Sequence, residues 1–403
     1  MTTIADSPVP TAPAVAARAP RVANVDVLRA LAALGVLAIH AYALGGRVAP
    51  IKAQHVYDVP LITLATGVWL FFAISGYVIG RPFIERLLAG QSPPKLAGYA
   101  RRRAVRIFPL YWIALTAVIV IDGSAGTQRW QLPFHYLLLN NLIPGRQEAL
   151  FPAAWTLTLE ALFYVVLPLL AAAVAVCARR SRRGRLISAE RLAGWILASW
   201  VLSIAFTVFA DLLGDGQAGL WLRGSLPSMW QMFCPGLLLA VAPRLRAPRP
   251  RRWLVELPGR GWPAVLVAAA VLIPAAVLGA AAPLRFGVVP YQLMVDASRP
   301  LFAVGYGLIV AVAIATRPWH ARWLLALGLA SYGIYLLHPV VESLLVQAGL
   351  IPDGHDTLAA FAINTAVLGL LTVPLAMASW RWLERPLIGR AARPEALRAA
   401  PEH

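Results

Sequence analysis

The chain has 403 residues, 59% of them apolar or aromatic and only 13% charged, against about 45–50% and about 25% in an average soluble domain, which excludes an ordinary water-soluble enzyme. Lys and Arg number 36 against 18 Asp and Glu, a formal charge of +18. These positive residues fall in short bursts between long apolar runs, the pattern of a multi-spanning membrane protein rather than of a nucleic-acid binder.

Residues 1–21, with the stretch MTTIADSPVPTAPAVAARAP, have no apolar core and read as a disordered tail rather than a signal peptide. With about 17–25 apolar residues per crossing, ten spans are predicted at about 24–44, 60–80, 107–122, 155–177, 192–212, 226–243, 262–282, 299–316, 323–347 and 358–380. The expected fold is therefore an all-α membrane protein, with one membrane domain over 22–388 and a C-terminal tail over 389–403. Pro274 and Pro374 predict kinks rather than breaks, because neighbouring helices re-satisfy freed backbone groups. Of the 36 Lys and Arg, 29 fall on one side of these spans, and the positive-inside rule then places both termini in the cytoplasm. The loop 123–154 on the other side contains LPFHYLLLNNLIPG, apolar enough to lie in the interface or re-enter.

Charged and titratable groups within the spans are expensive, so each is a functional candidate. Span one carries Asp26, Arg29 and His40. Eleven residues separate Arg29 from His40; eleven steps of about 100° make three turns plus about 20°, placing both on one face about 16 Å apart. The plainer reading makes Arg29 a snorkelling anchor paired with Asp26 and gives His40 a backbone carbonyl partner. Span two carries Ser75 and Gly76 in FFAISGYVIG, which suit close helix packing or backbone approach to a ligand. Arg101, Arg102, Arg103 and Arg106 abut span three; such clusters fix topology or meet lipid headgroups, yet Arg106, a turn past Arg102, is placed to face the bundle and hold a phosphate.

Glu160 lies in the outer half of span four, at a depth similar to His40. If the two helices are neighbours, a carboxylate beside an imidazole fixes its tautomer, as general-base catalysis requires. The competing reading is a buried carboxyl hydrogen-bonded to Thr156 or a tyrosine. On span nine, Ser331, Tyr335 and His338 share a face in ASYGIYLLHPVVE, and Tyr332 and Tyr335 are suited to joining helices by hydrogen bonds. The seven histidines include no pair at i, i+3 or i+4, and the two cysteines, Cys177 and Cys234, sit in or beside apolar runs; neither pattern signals a metal site or disulfide framework.

Together these stretches resemble the membrane-bound acyltransferase-3 family, which includes bacterial O-acetyltransferases of surface polysaccharides and acyltransferases of macrolide antibiotics. DVLRALAALGVLAIH resembles its Arg, ten residues, His element, with Arg29 and His40 at the defining positions. FFAISGYVI, RRRAVRIFPLYW, WTLTLEALFY, SYGIYLLHP and WLERP follow in the family's order, Tyr77 standing where Phe is common. Only about 23 residues follow the last span, so the chain resembles the stand-alone subtype, for which a separate transferase partner stays open.

The resemblance implies a multi-pass protein of the bacterial cytoplasmic membrane that moves an acyl group, acetyl by default, from cytoplasmic acyl-CoA to a hydroxyl of a sugar or glycosylated acceptor. Acyl-CoA would be a co-substrate, with no permanently bound cofactor and no nucleic-acid partner. On this reading Arg29 and Arg106, helped by Arg101, Arg102 and Arg103, hold the CoA phosphates. His40 deprotonates the acceptor, oriented or charge-balanced by Glu160, or carries the acyl group covalently. Asp26, Ser75, Tyr335 and His338 are candidates for positioning substrate or polarising the thioester. A transporter or flippase for a glycan or lipid-linked intermediate is the reading of another class; it predicts inverted repeats and paired broken helices, which the sequence does not display.

Overall fold

The structure, a computed structural model, describes residues 23–42, 58–124, 127–142, 150–180, 187–214, 216–245, 257–281, 291–319, 321–350 and 358–397. The expected N-terminal tail and the chain beyond Leu397 lie outside them. Every regular element among the described residues is helical. The principal helices are α1 (Ala23–Tyr42), α2 (Gly67–Leu88), α3 (Leu96–Asp122), α4 (Ala154–Arg180), α5 (Ala189–Leu212) and α6 (Leu226–Val241). They continue with α7 (Trp262–Ala281), α8 (Tyr291–Ala315), α9 (Arg322–Leu329), α10 (Ser331–Gln347), α11 (Leu358–Ser379) and α12 (Arg385–Leu397). Among the described residues nine helical stretches are long and apolar enough to cross a membrane, and the bent pair α9–α10 makes ten.

Each expected span has its helix, with three informative departures. The third begins at Leu96 rather than near 107, because the Ala- and Arg-rich YARRRAVR has high helix propensity although its charge ends the apolar run. The arginines thus ride on a helix instead of a loop. The ninth is divided at Ala330, where α9 and α10 meet at 69°; both pieces are apolar and no proline marks the break, so hydropathy reads through it. The last helix passes into a π turn over Trp380–Glu384 before α12, which carries residues 389–397 on as helix. Helices α7 and α11 run uninterrupted through Pro274 and Pro374.

Bilayer hydrocarbon is as apolar as leucine, so these helices associate chiefly by close packing of small residues and by hydrogen bonds. Helices α2 and α6 are the clearest case. A Cβ on Gly76 would lie 2.2 Å from the Phe233 carbonyl oxygen, and one on Gly236 would lie 2.0 Å from that of Ala73. Of the two readings of Gly76, the structure supports close helix packing. Around this contact Phe233 stacks on Phe72 at 4.7 Å and on Phe163 at 4.2 Å between ring centres, tying α6 to α2 and α4. Outward-facing Val120, Leu212 and Leu370 are 78%, 80% and 74% exposed, as a lipid-facing surface requires.

The segment after α3 folds back along that helix. Short helices over Leu132–Tyr136 and Asn140–Leu142 fold back along α3. Tyr111 donates to the His135 carbonyl at 2.6 Å and Trp112 Nε1 to that of Tyr136 at 2.9 Å, about 15 Å below the end of α3 at 1.5 Å per residue. Its turn is pinned by Thr158 donating to Asn140 Oδ1 and Trp221 donating to the Asn141 carbonyl, at 2.7 and 2.6 Å.

Candidate active site

Helix α1 brings Asp26 and Arg29, α3 brings Arg102, Arg103 and Arg106, and α4 brings Glu160 to one cavity of about 1160 Å³. Ile388 and Ala391 of α12 close the same cavity, so the first and last described helices meet at one end of the bundle. The arginines are held in different ways. Arg106 Nη1 donates to Glu384 Oε2 at 3.0 Å, and its guanidinium packs 5.4 Å from the ring centres of Tyr332 and Trp380. Arg103 lies 5.5 Å from the ring of Tyr164 and 6.0 Å from that of Tyr99. The Nε atoms of Arg29 and Arg103 are buried without a hydrogen-bond partner among the described residues. Unspent cationic donors converging on a cavity suit an anionic, phosphate-bearing ligand.

A second, smaller cavity of about 420 Å³ shares Arg29 and Glu160 with the first and is walled by Phe71, Phe72, Thr156, Ser331, Tyr332 and Tyr335. Glu160 therefore stands at the junction. Ser75 donates to its Oε1 at 2.6 Å and Tyr164 donates to the same oxygen at 2.5 Å, which leaves Oε2 available to a ligand. Of the two partners weighed for a buried Glu160, the tyrosine is observed. Thr156 instead pairs with the Tyr335 hydroxyl at 2.5 Å and donates to the Ala153 carbonyl, while Tyr332 donates to the Ile107 carbonyl at 2.6 Å. Both span-nine tyrosines thus join helices, as their polar ridge suggests.

His40 Nδ1 donates to the Val36 carbonyl at 2.8 Å, the backbone partner that the plainer sequence reading gave it. Its ring neighbour is His338, 4.7 Å away between centres and edge-on. His338 Nδ1 in turn donates to the Ile334 carbonyl at 3.1 Å. In both rings a carbonyl fixes the proton on Nδ1 and leaves Nε2 with its lone pair. His40 is half-buried, whereas His338 is fully buried with Nε2 unpartnered among the described residues. Ring contacts connect this pair to the smaller cavity, since Tyr335 lies 5.9 Å from His338 and 6.1 Å from Phe71.

The sequence candidates are thereby sorted. Arg29, Arg102, Arg103, Arg106, Asp26, Ser75 and Glu160 meet around the larger cavity, and Tyr335 lines the smaller. Arg101 departs from the expected cluster: exposed, it donates from Nη2 to the Ala391 carbonyl at 2.6 Å and does not border the cavity. The expected His40–Glu160 contact is replaced by His40–His338 and by Glu160 with Ser75 and Tyr164. Glu160 shares both cavities with Arg29, whereas His40, eleven residues further along α1, borders neither, so the two differ in depth as well as in partners. Sequence reasoning missed Glu384, 3% exposed on the π turn, and Tyr164. A carboxylate in WLERP at the edge of an apolar run was the signal for the first, since such a charge demands a partner. A π turn, often found at functional sites, turns it toward Arg106.

A family profile described as an acyltransferase domain matches residues 22–381. Nodulation protein 10 of Rhizobium leguminosarum bv. viciae is 29% identical over 390 residues, covering 90% of this chain and 92% of that protein. No solved structure matches the chain.

Proposed function

The chain belongs to the acyltransferase-3 family and is a multi-pass membrane acyltransferase, and from this premise we propose that it moves an acyl group, acetyl by default, from acyl-CoA to a hydroxyl of a sugar or glycosylated acceptor. The observation that carries the donor assignment is the convergence of Arg29, Arg102, Arg103 and Arg106 on one cavity at one end of the bundle. Positive-inside logic assigns that end to the cytoplasm of a bacterial inner membrane, where acyl-CoA is found. The guanidiniums hold the CoA phosphates by charge-assisted hydrogen bonds. The pantetheine arm then leads the thioester past Glu160 into the smaller cavity between Arg29 and Tyr335. Ser75 and Tyr164 hold Glu160 in place by their two hydrogen bonds; Asp26 borders the entrance.

His40, the more accessible member of the imidazole pair, takes the acceptor proton on Nε2, while Nδ1 stays bonded to Val36. His338 packs against it and fixes its orientation. The oxygen attacks the thioester carbonyl, the C–S bond breaks, and the CoA thiolate leaves with the proton returned from His40. The transporter reading gives way to the family membership. The test is release of free CoA thiol by the protein in liposomes, given acetyl-CoA, longer acyl-CoAs, and glycan and macrolide acceptors, for wild type, His40→Ala and Arg29→Ala. Release by wild type, loss in His40→Ala and a raised donor requirement in Arg29→Ala support the reading. Undiminished release by His40→Ala would remove the base from the mechanism.

A further inference from the structure

A third cavity, of about 760 Å³, is lined by Thr66, Trp69, Trp155, Ser298, Arg299 and Phe302. Its position is set by its walls. Along α2 and the turn before it, Thr63–Trp69 border this cavity, Val68–Phe72 the smaller site cavity, and Ile74–Ile79 the arginine cavity. Helix α4 repeats the order, with Trp155 here, Thr156 and Leu157 in the middle, and Glu160 and Tyr164 toward the arginines. Val68 is a wall common to the third cavity and the middle one. Three cavities thus follow one another in register from one end of the bundle to the other.

The lining of the third is unlike that of the arginine cavity. Arg299 is 7% exposed, and its Nε has no hydrogen-bond partner among the described residues. Its Nη2 meets Asp296 Oδ1 at 2.6 Å and its Nη1 donates to the Arg223 carbonyl at 3.2 Å. Arg223 in turn lies 3.4 Å from Asp211 and 3.9 Å from Asp296. Two cations and two carboxylates balance, so the network orients the Arg299 fork at the cavity without demanding an anion. A buried ionic network on an intramembrane face is costly and marks a functional site by default. The hydroxyls have already donated: Thr66 to the Thr63 carbonyl and Ser298 to that of Val295, both at 2.6 Å. Ser298 keeps its acceptor capacity, and Thr66, which also accepts from the Tyr306 hydroxyl, keeps one lone pair. Trp69 and Phe302 meet edge-on at 5.1 Å, with Trp155 beside them.

We propose that this cavity binds the acceptor as a neutral, polyhydroxylated ring, a glycosyl residue, entering from the face opposite the donor. Aromatic faces take the apolar C–H side of such a ring, Arg299 donates to its hydroxyl oxygens, and Thr66 and Ser298 accept from its hydroxyl protons. The reacting hydroxyl then reaches the middle cavity past Val68. This deepens the acyltransferase reading and rests on it for the chemistry, although the binding site itself can be tested apart from any transfer.

The experiment uses the full chain in lipid nanodiscs, carrying Ala65→Cys in a Cys177→Ser background, since Cys234 is buried. Labelling by a charged methanethiosulfonate is followed with and without methyl glucoside, methyl galactoside, glucuronate and cyclohexylmethanol, alongside CoA binding by calorimetry. The neutral glycosides are expected to slow labelling about tenfold at saturation, with little protection by glucuronate or the hydroxyl-poor ring. Adding Ala276→Trp, which fills the cavity, is expected to abolish protection and leave CoA binding unchanged. Arg299→Lys, which keeps the charge balance, is expected to weaken protection without removing it. Equal labelling with and without every glycoside, while CoA still binds, overturns this inference and leaves the proposed function standing. Glycoside protection without any CoA binding overturns the donor assignment and leaves the cavity's ligand class standing. Protection by glucuronate matching that of the neutral sugars overturns the neutral-ring specificity.

Discussion

Removing one member of the Arg106–Glu384 pair is expected to destabilise the protein more from one side than from the other. The contact is 3.0 Å long, with side-chain exposures of 19% for Arg106 and 3% for Glu384. Losing one partner of a fully buried pair costs about 3–5 kcal/mol, because the other charge is left uncompensated. Arg106→Ala strands the nearly inaccessible Glu384 carboxylate and belongs near the upper figure. Glu384→Ala strands a guanidinium that lines a cavity and rests between the rings of Tyr332 and Trp380, so about 1–3 kcal/mol is expected. The double variant leaves no stranded charge, and a coupling energy of about 1.5–3 kcal/mol should appear in the cycle. Equilibrium unfolding of the four proteins in one detergent, read by near-UV circular dichroism, gives each term. Additive losses within about 0.5 kcal/mol would refute the reasoning, as would a larger loss for Glu384→Ala than for Arg106→Ala.

Arg29→Lys and Arg103→Lys should each weaken CoA binding about tenfold through loss of the guanidinium fork while leaving its dependence on salt nearly unchanged, since the charge is kept, whereas Arg101→Ala, directed at the Ala391 carbonyl, should leave the calorimetric dissociation constant nearly unchanged. His40→Ala should lower kcat by about 10²–10⁴-fold with donor binding intact. In wild type, transfer should fall on acidification because a protonated Nε2 cannot accept the acceptor's proton; a rate that rises instead as pH drops, measured as CoA release, would exclude His40 as base. Gly76→Leu should fail to yield folded protein or lose more than about 1–3 kcal/mol, since its side chain would enter the Phe233 carbonyl, while Gly369→Leu, with open space at its Cβ, should behave as wild type in size-exclusion and thermal-melt assays.

How much of this was legible in advance follows from what a one-dimensional pattern encodes. Ten apolar runs marked the nine helices and the one bent pair that are long enough to cross, because hydrocarbon of about 30 Å demands a fixed length of apolar helix. Clustered arginines marked one end of the bundle, and the intramembrane residues Arg29, Glu160 and His338 were conspicuous because each is expensive to hold there. The sequence by itself also determined the family, through motifs spread over nearly the whole membrane domain.

The tertiary structure alone decided which costly residues meet. Helix periodicity gives a residue's depth and its face relative to its own helix, and in a soluble protein that face would be read from amphipathicity. Here lipid and core are both apolar, so the buried face is hardly distinguished from the outer one by composition. Glu160, assigned to His40 by depth, instead shares its cavities with Arg29, and His40 meets His338. Arg101 was grouped with residues whose cavity it does not line, being bonded to the Ala391 carbonyl at its edge, and Glu384 waited on a π turn that no hydropathy pattern records. The crossings are fixed by the solvent outside each helix; the site is fixed by the rotation of each helix about its own axis, which small residues such as Gly76 and Gly236 set only once the partners are packed.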